Sequence, residues 1–192
     1  SCDKMGHIKI NKELLEILGD YNLFMDSPKS TSMPLRVTKN KNNHPSSLYE
    51  EQTLYSVKDL GETMIDCEVR YKNPNNYSFQ ILTDHLTNKV LARLDEGNGT
   101  HRNNCKDIPL DQQIITTPHF HKYDTKGRFI AYKTQALEET KSSPLPIQEG
   151  FQLFCQEEKI SSNNDFAISI EIQENGVLPL EHDNDPLNGI VF

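Results

Sequence analysis

From Met64 onward apolar and polar residues alternate with a period of two, and no other feature restricts the fold as much. Ile65, Cys67, Val69 and Tyr71 alternate with Asp66, Glu68 and Arg70, the pattern of a half-buried strand. Residues 72–76 (KNPNN) are turn chemistry, and 77–82 read as the returning strand. Residues 89–94 supply a third strand, with Val90, Ala92 and Leu94 on one face and Leu91, Arg93 and Asp95 on the other. Residues 118–123 and 128–133 read as a fourth and fifth strand around the turn YDTKG. Short turns between successive strands predict an antiparallel meander. Residues 11–18 predict a short amphipathic helix, with Asn11 as N-cap and Gly19 as its stop. Residues 147–159 predict a second helix with Ile147, Phe151, Phe154 and Cys155 as its apolar stripe. Residues 165–173 alternate again and predict a last strand. The expected class is α+β: a curved antiparallel sheet, open or barrel-like, with one or two packed α-helices.

A chain of 192 residues fits one domain. Its core is expected over about residues 60–175, with a flexible loop at 27–47 and an irregular C-terminal tail at 175–192. A hydrophobic content of 35 % without Trp implies a modest core and long polar loops. The net charge of -8 argues against a broad phosphate-tracking surface, which needs clustered Lys and Arg. It leaves room for a small basic pocket and suits a basic protein partner docking on an acidic surface. The four cysteines are scattered without a C-x-x-C pair and read as free thiols. No secretory pattern and no membrane-length apolar run occur, so a soluble, cytoplasmic protein with no membrane partner is expected.

Chemistry-bearing residues gather between Asn88 and Lys133. Three of the seven histidines lie here, at His101, His119 and His121, with Arg93, Asp95, Arg102, Asn103 and Tyr123 nearby in sequence. Residues two apart on a strand point the same way. His119, His121 and Tyr123 therefore share one face, and Arg93 and Asp95 share a face of another strand. If those strands pair with the two faces coincident, five polar groups converge. The loop between them could then fold His101, Arg102 and Asn103 over the rim. Plainer readings stand beside this one: H-x-H as a surface accident, Arg93 with Asp95 as a structural ion pair, and Cys105 as an idle thiol.

The pieces R-L-D at Arg93, T-H-R-N at Thr100 and P-H-F-H-K-Y at Pro118 resemble the signature of a small bacterial family. Its members carry R-x-D, H-R-N and H-x-H-x-Y, followed by a helix with phenylalanine and cysteine, which Phe151–Ile160 (FQLFCQEEKI) resembles. The resemblance covers roughly residues 64–173. That family is a domain of unknown function from phage, plasmid and defence settings. The resemblance implies that these polar positions matter and supplies no reaction. The irregular loop 104–117 departs from the family's pattern.

Three function classes fit these residues. A metal-independent nuclease or phosphodiesterase, without cofactor, would use two of His101, His119 and His121 as acid and base. Arg93 or Arg102 would then hold the phosphate of RNA or a nucleotide, with Asn103 beside it. Tyr123 would donate a hydrogen bond and Asp95 would orient its neighbours. A metal-dependent hydrolase or lyase would bind Zn or another divalent transition metal through His101, His119, His121 and Asp95. A non-catalytic binder or antagonist would meet its protein partner through the acidic surface.

Overall fold

The computed structural model describes residues 8–97 and 99–173; the tail expected at 175–192 lies outside the described residues. Helices α1 (Lys12–Glu16) and α2 (Leu18–Asp26) lead into the short strands β1 (Lys29–Thr31), β2 (Leu35–Val37) and β3 (Lys39–Lys41). Strands β4 (His44–Thr53), β5 (Tyr55–Ser56), β6 (Thr63–Arg70), β7 (Asn73–Thr83) and β8 (Val90–Glu96) follow. Then come β9 (His101–Arg102), β10 (Ile114–Ile115), β11 (His119–Tyr123) and β12 (Phe129–Tyr132). Helices α3 (Gln135–Glu138) and α4 (Ile147–Glu157) and strands β13 (Ile160–Ser162) and β14 (Ile170–Ile172) complete the described chain.

Seven strands form one antiparallel sheet in the order β12-β11-β8-β7-β6-β4-β3. The five strands expected between residues 64 and 133 all lie in it. The sheet is open, with β12 and β3 as its edges, so the barrel-like alternative is set aside. Among the described residues no helix is long and apolar enough to cross a membrane.

The faces of the sheet differ. Ile65, Cys67, Phe79, Ile81, Leu94 and Phe120 are buried on one face, where α4 packs. Phe79 contacts Phe151 and Phe154 with ring centroids 5.2 and 5.6 Å apart. Gly150 is required at this contact: a Cβ there would stand 2.2 Å from the Tyr77 hydroxyl, which donates to the Leu145 carbonyl at 3.0 Å. The opposite face carries polar side chains. Paired neighbours set a row of Glu51, Asp66, Gln80, Arg93 and His121 across five strands.

Several expectations are corrected. The segment 27–47 is not a loop: it holds β1, β2, β3 and the start of β4. The partners of β1 and β2 lie outside the segment, β13 and β5 for β1 and β14 for β2, so local composition gave no sign of them, whereas β3 pairs with the adjacent β4. Lys29 is buried there, its ammonium donating to the carbonyls of Met25, Ser27 and Glu158 at 2.9–3.0 Å. Lys39 and Lys41 pair with Glu50 and Glu68. Gly19 does not stop the first helix. The helix breaks at Ile17 and resumes through Gly19, because burying Tyr21 and Phe24 outweighs the roughly 1 kcal/mol cost of a helical glycine. Of residues 165–173 only Ile170–Ile172 are strand, since the partner β2 has just three residues. Of the KNPNN segment Lys72 lies in the turn, while residues 74–76 form a bulge between the pairs Val69–Tyr77 and Arg70–Asn73, as suits Pro74, which has no N–H for the ladder.

On the polar face Asp66 is 5 % exposed and accepts from the Gln80 side-chain amide at 3.1 Å. Burial pushes its pKa up from 3.8 to about 7; Lys41 opposes the rise, while Glu51 and Glu68 add to it. The folded protein therefore holds a proton that the unfolded chain releases between about pH 4 and 7. Stability from this group is lost as the pH rises through that window. Asp66→Asn is expected to stabilise the fold by on the order of 1–3 kcal/mol at pH 8 and to be nearly neutral below pH 4. Denaturant midpoints at the two pH values measure this, and equal shifts at both would contradict it.

Candidate metal centre

The register between β8 and β11 assembles the site. His119 pairs with Asp95 and His121 with Arg93, so the faces carrying these four side chains coincide. β9 pairs with β10, His101 opposite Ile115, and sets the third imidazole against the other two. Ring centroids are 4.6 Å apart for His101 and His121, 4.7 Å for His119 and His121, and 5.9 Å for His101 and His119. Each ring offers a nitrogen within 4.8 Å of the other two. Tetrahedral coordination at about 2.0–2.1 Å would draw these atoms to about 3.4 Å, a contraction within reach of small ring rotations.

Burial makes the arrangement costly without a ligand. His119 and His121 are 3 % and 1 % exposed. His119 Nδ1 lies 3.2 Å from the Thr116 carbonyl. Donation to that oxygen puts the proton on Nδ1 and leaves Nε2 with its lone pair. His101 Nε2 and both nitrogens of His121 are buried without a hydrogen-bond partner. A buried polar atom left unpaired costs about 1–3 kcal/mol, and here three such atoms belong to one cluster.

Asp95 closes the base of the site at 3 % exposure. Its Oδ2 is 2.8 Å from Arg93 Nε, 3.3 Å from His121 Nε2 and 3.8 Å from His119 Nε2. The His121 nitrogen is close to the carboxylate in distance but off the angle of a hydrogen bond. The His121 separation is close to the roughly 3.4 Å between two ligands of one tetrahedral ion, and the His119 separation exceeds it. Burial raises the Asp95 pKa, yet His121, Arg93 and His119 together outweigh burial and hold it below the usual carboxylate value. Burial lowers all three imidazole pKa values. Neighbouring His121 drives His119 further down, to about 4. At neutral pH the cluster is three neutral imidazoles beside one carboxylate, the protonation state that binds metal.

The other expected site residues lie elsewhere. Tyr123 shares the face but turns its hydroxyl away, accepting from the Asn11 and Asn88 amides at 3.1 and 3.5 Å. Arg102 is exposed and alternates away from His101 along β9. Asn103 is a structural clamp. Its amide donates to the carbonyls of Gln112 and Ala131 at 2.9 and 2.7 Å and accepts from the Ala131 N–H at 2.9 Å. These bonds engage both ends of the amide and bind the loop to edge strand β12, which positions His101 two residues earlier. Asn103→Ala leaves the Ala131 backbone pair without that partner and is expected to cost about 2–3 kcal/mol. A denaturant midpoint unchanged to within about 0.5 kcal/mol would rule out this role. Cys105 is a free thiol that takes no part in the cluster.

Sequence reasoning missed Phe129. Its ring stacks on His121 with centroids 5.2 Å apart and lies 5.9 Å from the Arg93 guanidinium carbon. The available signal was its place opposite Tyr123 in the predicted hairpin. No protein-family model, no curated protein and no solved structure matches this chain.

Proposed function

We propose that His101, His119 and His121 hold a divalent transition metal, zinc by ligand type, and that the protein is a metal-dependent hydrolase. The observation that carries this reading is the convergence of three imidazoles, two of them, His101 and His121, with buried nitrogens that have no hydrogen-bond partner. Nitrogen donors of this kind suit Zn, Co and Ni. Three protein ligands rather than four are the mark of catalytic sites, which keep a position for water or substrate. Such an ion polarises a carbonyl or phosphoryl oxygen and lowers the pKa of water. Arg93, with its side chain 33 % exposed, joins the buried cluster to solvent and can contact an anionic group. Asp95 orients the imidazoles beside it.

The metal-free acid–base reading requires one imidazolium near neutral pH. Burial and crowding disfavour that charge at all three histidines, so the geometry favours the metal reading. Chelator-treated protein titrated with Co(II) should develop the visible absorption of tetrahedral cobalt at one equivalent. His119→Ala should abolish that signal while the fold stays cooperative. Absence of stoichiometric uptake by wild-type protein would refute the proposal.

A further inference from the structure

One cavity on the site's own face is not used by this reading. It has a volume of about 520 Å³ and is bordered by Ile10, Asn11, Lys12, Asn88, Tyr123 and Phe129. That size lies within the roughly 300–1,000 Å³ of small-molecule sites. Tyr123 stands two residues beyond His121 on β11, so the cavity is about 7 Å along the strand from the histidines. Phe129 is the shared wall, bordering the cavity and stacking on His121.

Accepting the metal centre, we propose that this cavity is its substrate pocket and takes a small aromatic carboxylate. Phe129 and the half-exposed Ile10 supply an apolar surface suited to a flat ring. The Tyr123 hydroxyl supplies the polar contact. It accepts from both Asn11 and Asn88, and its own proton has no acceptor among the described residues. A hydroxyl with an uncommitted proton on a residue that is 5 % exposed fits a ligand oxygen. The rim selects charge. Lys9 and Lys12 are exposed there against one carboxylate, Glu13, whose oxygens accept from the Thr87 N–H and hydroxyl at 2.8 and 2.7 Å. A ring lying on Phe129 is then one side chain away from both His121 and Arg93. The mixture of an apolar wall and a few converging polar groups is the usual make-up of a ligand pocket.

Benzoate is the probe, with methyl benzoate and acetate as controls, read by saturation-transfer NMR on the full chain before and after zinc loading. Benzoate is expected to bind both forms. Methyl benzoate and acetate should bind at least about tenfold more weakly, since each lacks one of the two recognised features. Tyr123→Phe removes the donor and should weaken benzoate about tenfold. Asn88→Leu, at an exposed position that leaves the fold intact, should block the mouth to a similar extent. Metal content is measured on the same samples. Benzoate binding by protein that takes up no metal would refute the metal centre and leave the pocket standing. Metal uptake without benzoate binding, or binding insensitive to both variants, would overturn the pocket and leave the centre standing.

Discussion

Zinc-loaded protein is expected to melt about 10 °C above the chelator-treated form, and His121→Ala should erase the difference. A ligand held by the native state alone, at about a thousand times its Kd, stabilises by about 4 kcal/mol. For a chain of this length each kcal/mol moves Tm by about 2–4 °C. His121 is the informative position because its ring is 1 % exposed and both nitrogens lack hydrogen-bond partners. In the metal-free state the variant loses packing against Phe129 but also removes two unpaired buried atoms, so it should fold. Hydrolysis of an activated aryl ester, if present, should fall by about a hundredfold or more in the same variant. Identical melting of the zinc-loaded and chelated wild type would count against the metal centre.

Phe79→Ala should produce the largest loss of stability from one side chain, about 3–5 kcal/mol. Phe79 is fully buried, and its ring meets those of Tyr77, Phe151 and Phe154 at 5.2–5.6 Å. It joins β7 to α4, so the cavity opens at the main contact between sheet and helix. Phe79 lies on the face opposite Arg93 and Asp95, since its partner on β8 is Leu94. Metal uptake per folded molecule should therefore stay unchanged while the denaturant midpoint drops at constant slope. A loss under about 1 kcal/mol would show that helix and sheet hold together by other means.

The candidate site was partly legible in the sequence. Alternation put His119 with His121 and Arg93 with Asp95 on common faces, because side-chain direction in a strand depends on parity alone. Whether the two faces coincide depends on register, which a one-residue slip would invert. The pairing of His121 with Arg93 decides it. Tyr123 has the right parity yet leaves the cluster, because its hydroxyl is held by Asn11 and Asn88. Asn103 reads as a site residue by its neighbours in sequence and proves to be a clamp on Ala131.

By itself the sequence determined the class of fold, the central strands and the faces on which their polar groups stand. Those properties are local: they follow from the order of apolar and polar residues over five or six positions. Only the tertiary structure decided the rest. It paired β1 with β13 and β2 with β14 across more than a hundred residues and left the sheet open. It brought His101 against His119 and His121, and burial there lowered the pKa of each imidazole. Long-range pairing and desolvation are properties of neighbours in space, and those neighbours are set by the packing of the whole chain.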